Sequence, residues 1–224
     1  ILQFKKRSAE AVCTLDRELQ RFVSETLQQH ILSVQGQNVH DGAVLVADNK
    51  SGEILAYVGN VGVLASARYV DGTQARRQAG STLKPFLYGL AFDKRILTPA
   101  SLLDDAPLDV PAMNGIYRPE NYDKHFHGLV PARTALASSL NIPAVKLLNL
   151  VGVEWFVPKL GELGFENLQS ADFYGSSLAL GAADVTLWEL VNAYRSLANA
   201  GVWTPLRLTF EENPDVTRRQ GLSA

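Results

Sequence analysis

Apolar positions along the chain change period several times, and each change predicts an element. From Thr14 onward Leu15, Leu19, Phe22, Val23, Leu27 and Ile31 recur at helical spacing. Thr14 stands where an N-cap belongs, with Asp16 and Glu18 in the first turn, so an amphipathic helix is expected there. Beyond the polar break QGQNVHDG, the short apolar runs AVLVA and EILAYVG flank DNKSG, which is turn chemistry between two strands of a hairpin. The stretch from Leu83 to Leu97 carries Leu83, Phe86, Leu87, Leu90 and Ala91 on one side and Tyr88 and Phe92 on the other. A helix that is apolar nearly all round belongs in a core.

Residues 98–129 hold four of the ten prolines and show little periodicity, and a long irregular connection of that kind tends to line a site. Then PARTALASSLNIPAVKLLNLVG reads as two helices broken between Ser139 and Pro143. EWFVPKLGELGF reads as a shorter helix with Pro158 in or near its first turn. DVTLWELVNAYRSLANAG reads as a capped helix closed by Gly201. Tyr88, Trp155, Trp188 and Tyr194, at helical spacings, are expected in or half in the core. No internal repeat is visible. The pattern is α+β, a hairpin leading into a helical body.

Composition narrows the function. A chain of 224 residues with 46% hydrophobic residues buries a sizeable core. With 21 Lys and Arg against 23 Asp and Glu and no basic run longer than FKKR, nothing favours a nucleic-acid partner. The single cysteine, Cys13, closes no disulfide within the chain. No apolar run reaches the roughly 18 residues that span a bilayer. His125 and His127 lack the further ligands a metal site needs, and neither metal nor cofactor is expected.

The chemistry lies in RRQAGSTLKPFLYGL. Three residues apart on a helix, Ser81 and Lys84 share a face. A serine hydroxyl attacks well only when a base takes its proton, and a lysine becomes that base when burial leaves it neutral. The first turn of a helix also offers N–H groups to a developing oxyanion, and Gly80 permits close approach. Serine is equally a plain N-cap residue, whatever its chemistry. A second pair, Ser139 and Asn141, sits at the helix break, where side chains can project into a cleft. The same pair also suits ordinary duty, Ser139 closing one helix and Asn141 capping the next.

An S-x-x-K followed by an S-x-N is the ordered pair of the penicillin-recognising serine enzymes. The separation of the two serines is similar to the family's. The text around them, YVDGTQARRQAGSTLKPFLYGLAF, RPENYDKHFHGLVPARTALASSLNIPAVKLLNLVG and SLALGAADVTLWELVNAYRSLANAGV, resembles the transpeptidase module of bifunctional, class A penicillin-binding proteins, closest to the 1C type. CTLDRELQ and GAVLVADNKSGEILAYVGN look like the approach to that module, with residues 1–40 as linker and first helix and 41–224 as the partial transpeptidase domain.

The resemblance implies a serine β-lactamase/D,D-transpeptidase-like fold, α+β, with a helical body on an antiparallel sheet that is incomplete here. It implies that Ser81 is acylated by the D-Ala-D-Ala end of a peptidoglycan stem peptide or by a β-lactam antibiotic. Lys84 would take the Ser81 proton, Ser139 would relay a proton to the leaving amine, and Asn141 would bind substrate and help to hold Lys84. Asn121 and Tyr122 are expected to border the cleft. The implied place is extracytoplasmic, on the periplasmic face of the inner membrane, with anchor and glycosyltransferase module outside this chain. The family's third motif, K-T-G or K-S-G, does not occur in the sequence, from which a truncated form is expected. That gap leaves a non-catalytic cell-wall binding module as an alternative. A serine β-lactamase is less favoured, since Glu162, Glu166 and Glu189 lack the E-x-x-x-N setting of a deacylating carboxylate.

Overall fold

The computed structural model describes residues 12–112, 115–210 and 219–222. FKKR therefore lies outside the described residues. The chain divides into two compact units, one formed by residues 1–75 and 186–219, the other by residues 76–185 and 220–224.

In the first unit the expected hairpin is present, with β1 (Val44–Ala47) antiparallel to β2 (Ile54–Val58) and Val44 opposite Val58. Ile54, Ala56 and Val58 alternate inward along β2. Leu45 and Ile54 meet Leu206 and Leu208 in a core flanked by Leu15, Tyr57 and Trp188. The long helix α1 (Arg17–Val34) starts later than its sequence pattern suggested. Asp16 is its N-cap, accepting from Leu19 N at 2.7 Å, and Thr14 is not. Thr14 is held elsewhere: its N–H donates to Leu208 O at 2.9 Å and its buried hydroxyl to Ile54 O at 2.7 Å. Phe22, on the expected apolar face of α1, is 64% exposed, and Ile31 is the residue that reaches the core.

The second unit is mainly helical. It contains α2 (Lys84–Asp93), α3 (Ala132–Ala137), α4 (Asn141–Val151), α5 (Val153–Glu162) and the single turn α6 (Ala171–Tyr174). As its all-round apolarity implied, α2 buries Phe86, Leu87, Tyr88, Leu90 and Ala91. Phe86 meets Phe165 edge-on with centroids 5.8 Å apart. The helix stops short of Leu97 because Arg95 turns left-handed at φ 55°, while Ile96 N closes on Ala91 O at 3.0 Å. Pro158 falls in the second turn of α5. Trp155 is 58% exposed, not core, because Phe156 and Leu160, four apart, take the inward face of α5. It lies instead under the Lys94 ammonium, 3.8 Å from the ring centroid.

The proline-bearing segment from 98 to 129 is more ordered than its sequence suggested. It contributes β4 (Leu102–Asp105), which pairs antiparallel with β7 (Gly128–Pro131), and the small hairpin of β5 (Val110–Ala112) and β6 (Gly115–Tyr117). Strands of three or four residues are too short to leave a readable alternation. A further ladder joins β3 (Arg77–Gln78) to β8 (Asp184–Val185). The helix α7 (Leu187–Ala198) belongs to the first unit. Among the described residues no helix is long and apolar enough to cross a membrane.

Candidate active site

All four residues singled out by the two motifs fall in the second unit. The β3–β8 ladder continues past its last paired residues: Ala79 N donates to Ala183 O at 2.9 Å and Gly80 N to Gly181 O at 3.1 Å. Gly80 then turns at φ 59°, and the chain enters a short 3-10 helix over Gly80–Leu83 that runs directly into α2. Lys84 N closes the turn on Ser81 O, and residues three apart across such a turn share a face, which puts Ser81 and Lys84 on one side. Gly181 is one residue whose role the sequence did not reveal. A Cβ there would stand 1.9 Å from the Gly80 carbonyl oxygen, so only glycine lets the two backbones pass this closely.

Ser81 is exposed while Lys84 is 1% exposed. The Lys84 ammonium donates to Ser139 O at 2.6 Å, to Asn141 Oδ1 at 2.7 Å and to Ser139 Oγ at 3.2 Å. Those three acceptors use its three donors. Burial disfavours the charged form and lowers its pKa to about 8. Roughly a tenth of Lys84 is then neutral at pH 7, enough for a working base.

Ser139 owes its posture to the end of α3. Leu140 N donates back to Ala135 O at 2.9 Å and Ser139 N to Leu136 O at 3.0 Å, the two bonds of a Schellman close. The left-handed residue in that close is usually glycine, yet here it is Ser139, at φ 53°. A left-handed residue with a Cβ costs about 1–2 kcal/mol. In this conformation Ser139 turns both its carbonyl and its hydroxyl to Lys84, so the strain has a local use.

Asn141 is the first residue of α4, and the N-cap position belongs to Leu140, which has no side-chain acceptor. The helix is capped from elsewhere: Asn121 Oδ1 accepts from Asn141 N at 2.8 Å. Asn141 Nδ2 donates to Glu120 O at 2.8 Å, which leaves its Oδ1 facing Lys84. Asn121 is 4% exposed and gives its own amide hydrogens to both oxygens of Asp105, each at 2.9 Å, and to His125 O at 2.8 Å. Asp105, fully buried, also accepts from His127 N at 3.0 Å and pairs with His127 Nδ1 at 2.7 Å. Asn121 therefore does more than border a cleft, and Asp105 left no sign in the sequence because its partners lie far along the chain.

A cavity of about 530 Å³ unites these groups. Ser81, Ser139, Asn141, Asn121, Tyr122 and His127 are among its walls. Tyr122 projects fully into solvent at its rim. The cavity thus combines an exposed hydroxyl, a second hydroxyl and an oriented amide, and the buried amine of lowered pKa is hydrogen-bonded to two of its walls, Ser139 and Asn141; together these groups can support nucleophilic acyl transfer.

Comparison with known proteins gives one consistent result. Residues 42–223 match the model of the penicillin binding protein transpeptidase domain. Penicillin-binding protein 1C of Escherichia coli (strain K12) is 37% identical over 207 residues, covering 91% of this chain and 26% of that protein. Penicillin-binding protein 1A of Pseudomonas aeruginosa is 34% identical over 179 residues, covering 79% of this chain and 20% of that protein. The crystal structure of penicillin-binding protein 1A from Haemophilus influenzae superposes with a TM-score of 0.67 at 29% identity, over 75% of this chain and 25% of that one. The PonA1 protein from Mycobacterium tuberculosis in complex with penicillin V superposes with a TM-score of 0.77 at 22% identity, over 96% of this chain and 60% of that one, a likeness of fold. This chain spans about a quarter of the length of the 1C relative and a fifth of the 1A relative.

Proposed function

The chain belongs to the transpeptidase domain family of class A penicillin-binding proteins, and from that membership we propose that it carries a peptidoglycan D,D-transpeptidase centre with Ser81 as its nucleophile. The observation that carries the assignment is the buried Lys84, in contact with Ser139 and Asn141 beside a cavity that Ser81 lines.

In the proposed reaction neutral Lys84 takes the proton from Ser81 Oγ as that oxygen bonds to the penultimate D-Ala carbonyl carbon. The oxyanion forms near the Ser81 N–H, in the first turn of the 3-10 helix. As the C–N bond to the terminal D-Ala breaks, Ser139 gives its hydroxyl proton to the leaving nitrogen. It recovers one from Lys84 across the 3.2 Å contact, which returns Lys84 to its neutral form. An amine from a neighbouring stem peptide then attacks the ester, frees Ser81 and leaves a cross-link. Asn141 lines the cavity, and its Nδ2 is suited to a substrate backbone carbonyl once it exchanges Glu120 O for that partner. A β-lactam ring enters the same first step, its amide bond opening in place of the peptide bond. The site of action is extracytoplasmic, at the cell wall.

Intact-mass measurement after incubation with a penicillin, on the protein at its natural length, tests the assignment. The expected result is one penicilloyl adduct, mapped to Ser81 and lost in Ser81→Ala. No adduct, or one that survives Ser81→Ala, overturns it.

A further inference from the structure

The two motifs do not position themselves. The first N–H groups of a helix have no partner within it. At α4 the N-cap residue Leu140 supplies no side-chain acceptor. The acceptor comes from Asn121, whose Oδ1 lies 2.8 Å from Asn141 N. A carboxamide has one accepting end and one donating end, and its usefulness to α4 depends on which end faces the helix. Asp105 decides that. As a buried carboxylate it only accepts, so the Asn121 NH₂ must turn to it and the Asn121 oxygen must turn to α4. The backbone of Asn141 is thereby pinned, while the neighbouring Glu120 carbonyl fixes its side chain with Oδ1 towards Lys84.

We propose that Asp105 and Asn121 are positioning residues for acyl transfer: the carboxylate orients the Asn121 amide, and the amide oxygen pins the start of α4 so that Asn141 holds Lys84 beside Ser139. The proposal rests on the reading of Ser81 as the acylated nucleophile. It gives polarity, not shape, the decisive part. In Asp105→Asn the new amide keeps its oxygen towards the two His127 donors, N and Nδ1, where one contact with Asn121 survives, and sets its NH₂ against the NH₂ of Asn121 at the other. Two donors then face each other. If Asn121 flips to escape, it presents hydrogens to the N–H groups of α4. Exchanging the two residues, in the double variant D105N/N121D, restores a donor at 105 opposite an acceptor at 121, and the acceptor at 121 still faces Asn141 N. The bond to His125 O and one of the two contacts between 105 and 121 are lost, and the carboxylate at 121 must draw back from that carbonyl.

The test is the rate constant for acylation by a penicillin at saturation, measured on the full protein for wild type, Asp105→Asn, Asn121→Ala and the exchanged pair. A lost buried partner corresponds to a slowing of about tenfold to a hundredfold in each single variant. The exchanged pair is expected to return to within about fivefold of wild type. Val151→Ala, at the far end of α4, controls for loss of stability: it lowers the melting temperature and leaves the rate constant within about twofold. An exchanged pair as slow as the singles means that polarity is not what matters, a Val151→Ala variant slowed as much means that stability alone is at stake, and either result overturns the proposal. So does wild-type acylation in both single variants. Absence of acylation at Ser81 in wild type is a different failure, that of the transpeptidase reading itself.

Discussion

Two helices of similar length begin in opposite ways. At α7, Thr186 Oγ1 accepts from Glu189 N at 3.0 Å while Glu189 Oε2 accepts from Thr186 N at 2.8 Å, a capping box closed within four residues. At α4 the cap is borrowed from Asn121, 20 positions earlier, which is itself oriented by Asp105. A local cap stabilises one helix by about 1 kcal/mol and depends on nothing else. A borrowed cap must order a loop as well, which costs conformational entropy, and in return it fixes that loop relative to the helix. The first serves folding. The second suits a catalytic group that must be held to a fraction of an ångström.

The ends of two helices repeat the contrast. Ser139 closes α3 in the left-handed region at φ 53°, and Ala200 follows α7 in the same region, also at φ 53°. The backbone problem is the same, but only Ser139 has a hydroxyl on the Lys84 amine. Glycine at each position separates strain from chemistry. Ser139→Gly is expected to slow acylation by about a hundredfold through loss of the relay, while raising stability by about 0.5–1 kcal/mol through relief of the left-handed strain. Thr186→Ala comes next: chemical denaturation is expected to show a loss of about 1 kcal/mol, with acylation within about twofold of wild type. Ala200→Gly has the smallest effect, a gain of about 0.5–1 kcal/mol with no change in acylation. If Thr186→Ala slowed acylation as strongly as Asn121→Ala, the distinction between local and borrowed caps would fail.

The same distinction explains what could be read from the chain. The hairpin of β1 and β2, the apolar helix α2, the α3–α4 break and the cap of α7 all follow from patterns a few residues long, and the structure has them. Thr14 looked like a cap by position, but Leu208 and Ile54, distant in sequence, claim it, and Asp16 caps instead. The β4–β7 ladder was hidden among prolines in strands too short to alternate visibly. Asp105 is one of two adjacent aspartates, and nothing local separates the buried one from Asp104, which faces outward to Lys146 at 2.7 Å. Gly181 carries no local sign within the SLALGAAD run, because its need for glycine arises only where Gly80 passes it. The motifs marked the groups proposed to do chemistry. What holds them in place depends on contacts far apart in sequence.

The proposed mechanism makes Lys84 a buried base that must lose its proton before Ser81 can attack. Its pKa, lowered by desolvation to about 8, sets the sign and the window: the neutral form grows with pH, so acylation rises through pH 8 and levels off above it. The direct measurement is the second-order rate constant for penicillin acylation of the free enzyme from pH 6 to pH 9. A rise approaching a hundredfold, with half-maximum near pH 8, is the predicted result. A rate that is flat across that range, or that falls as pH rises, would contradict it.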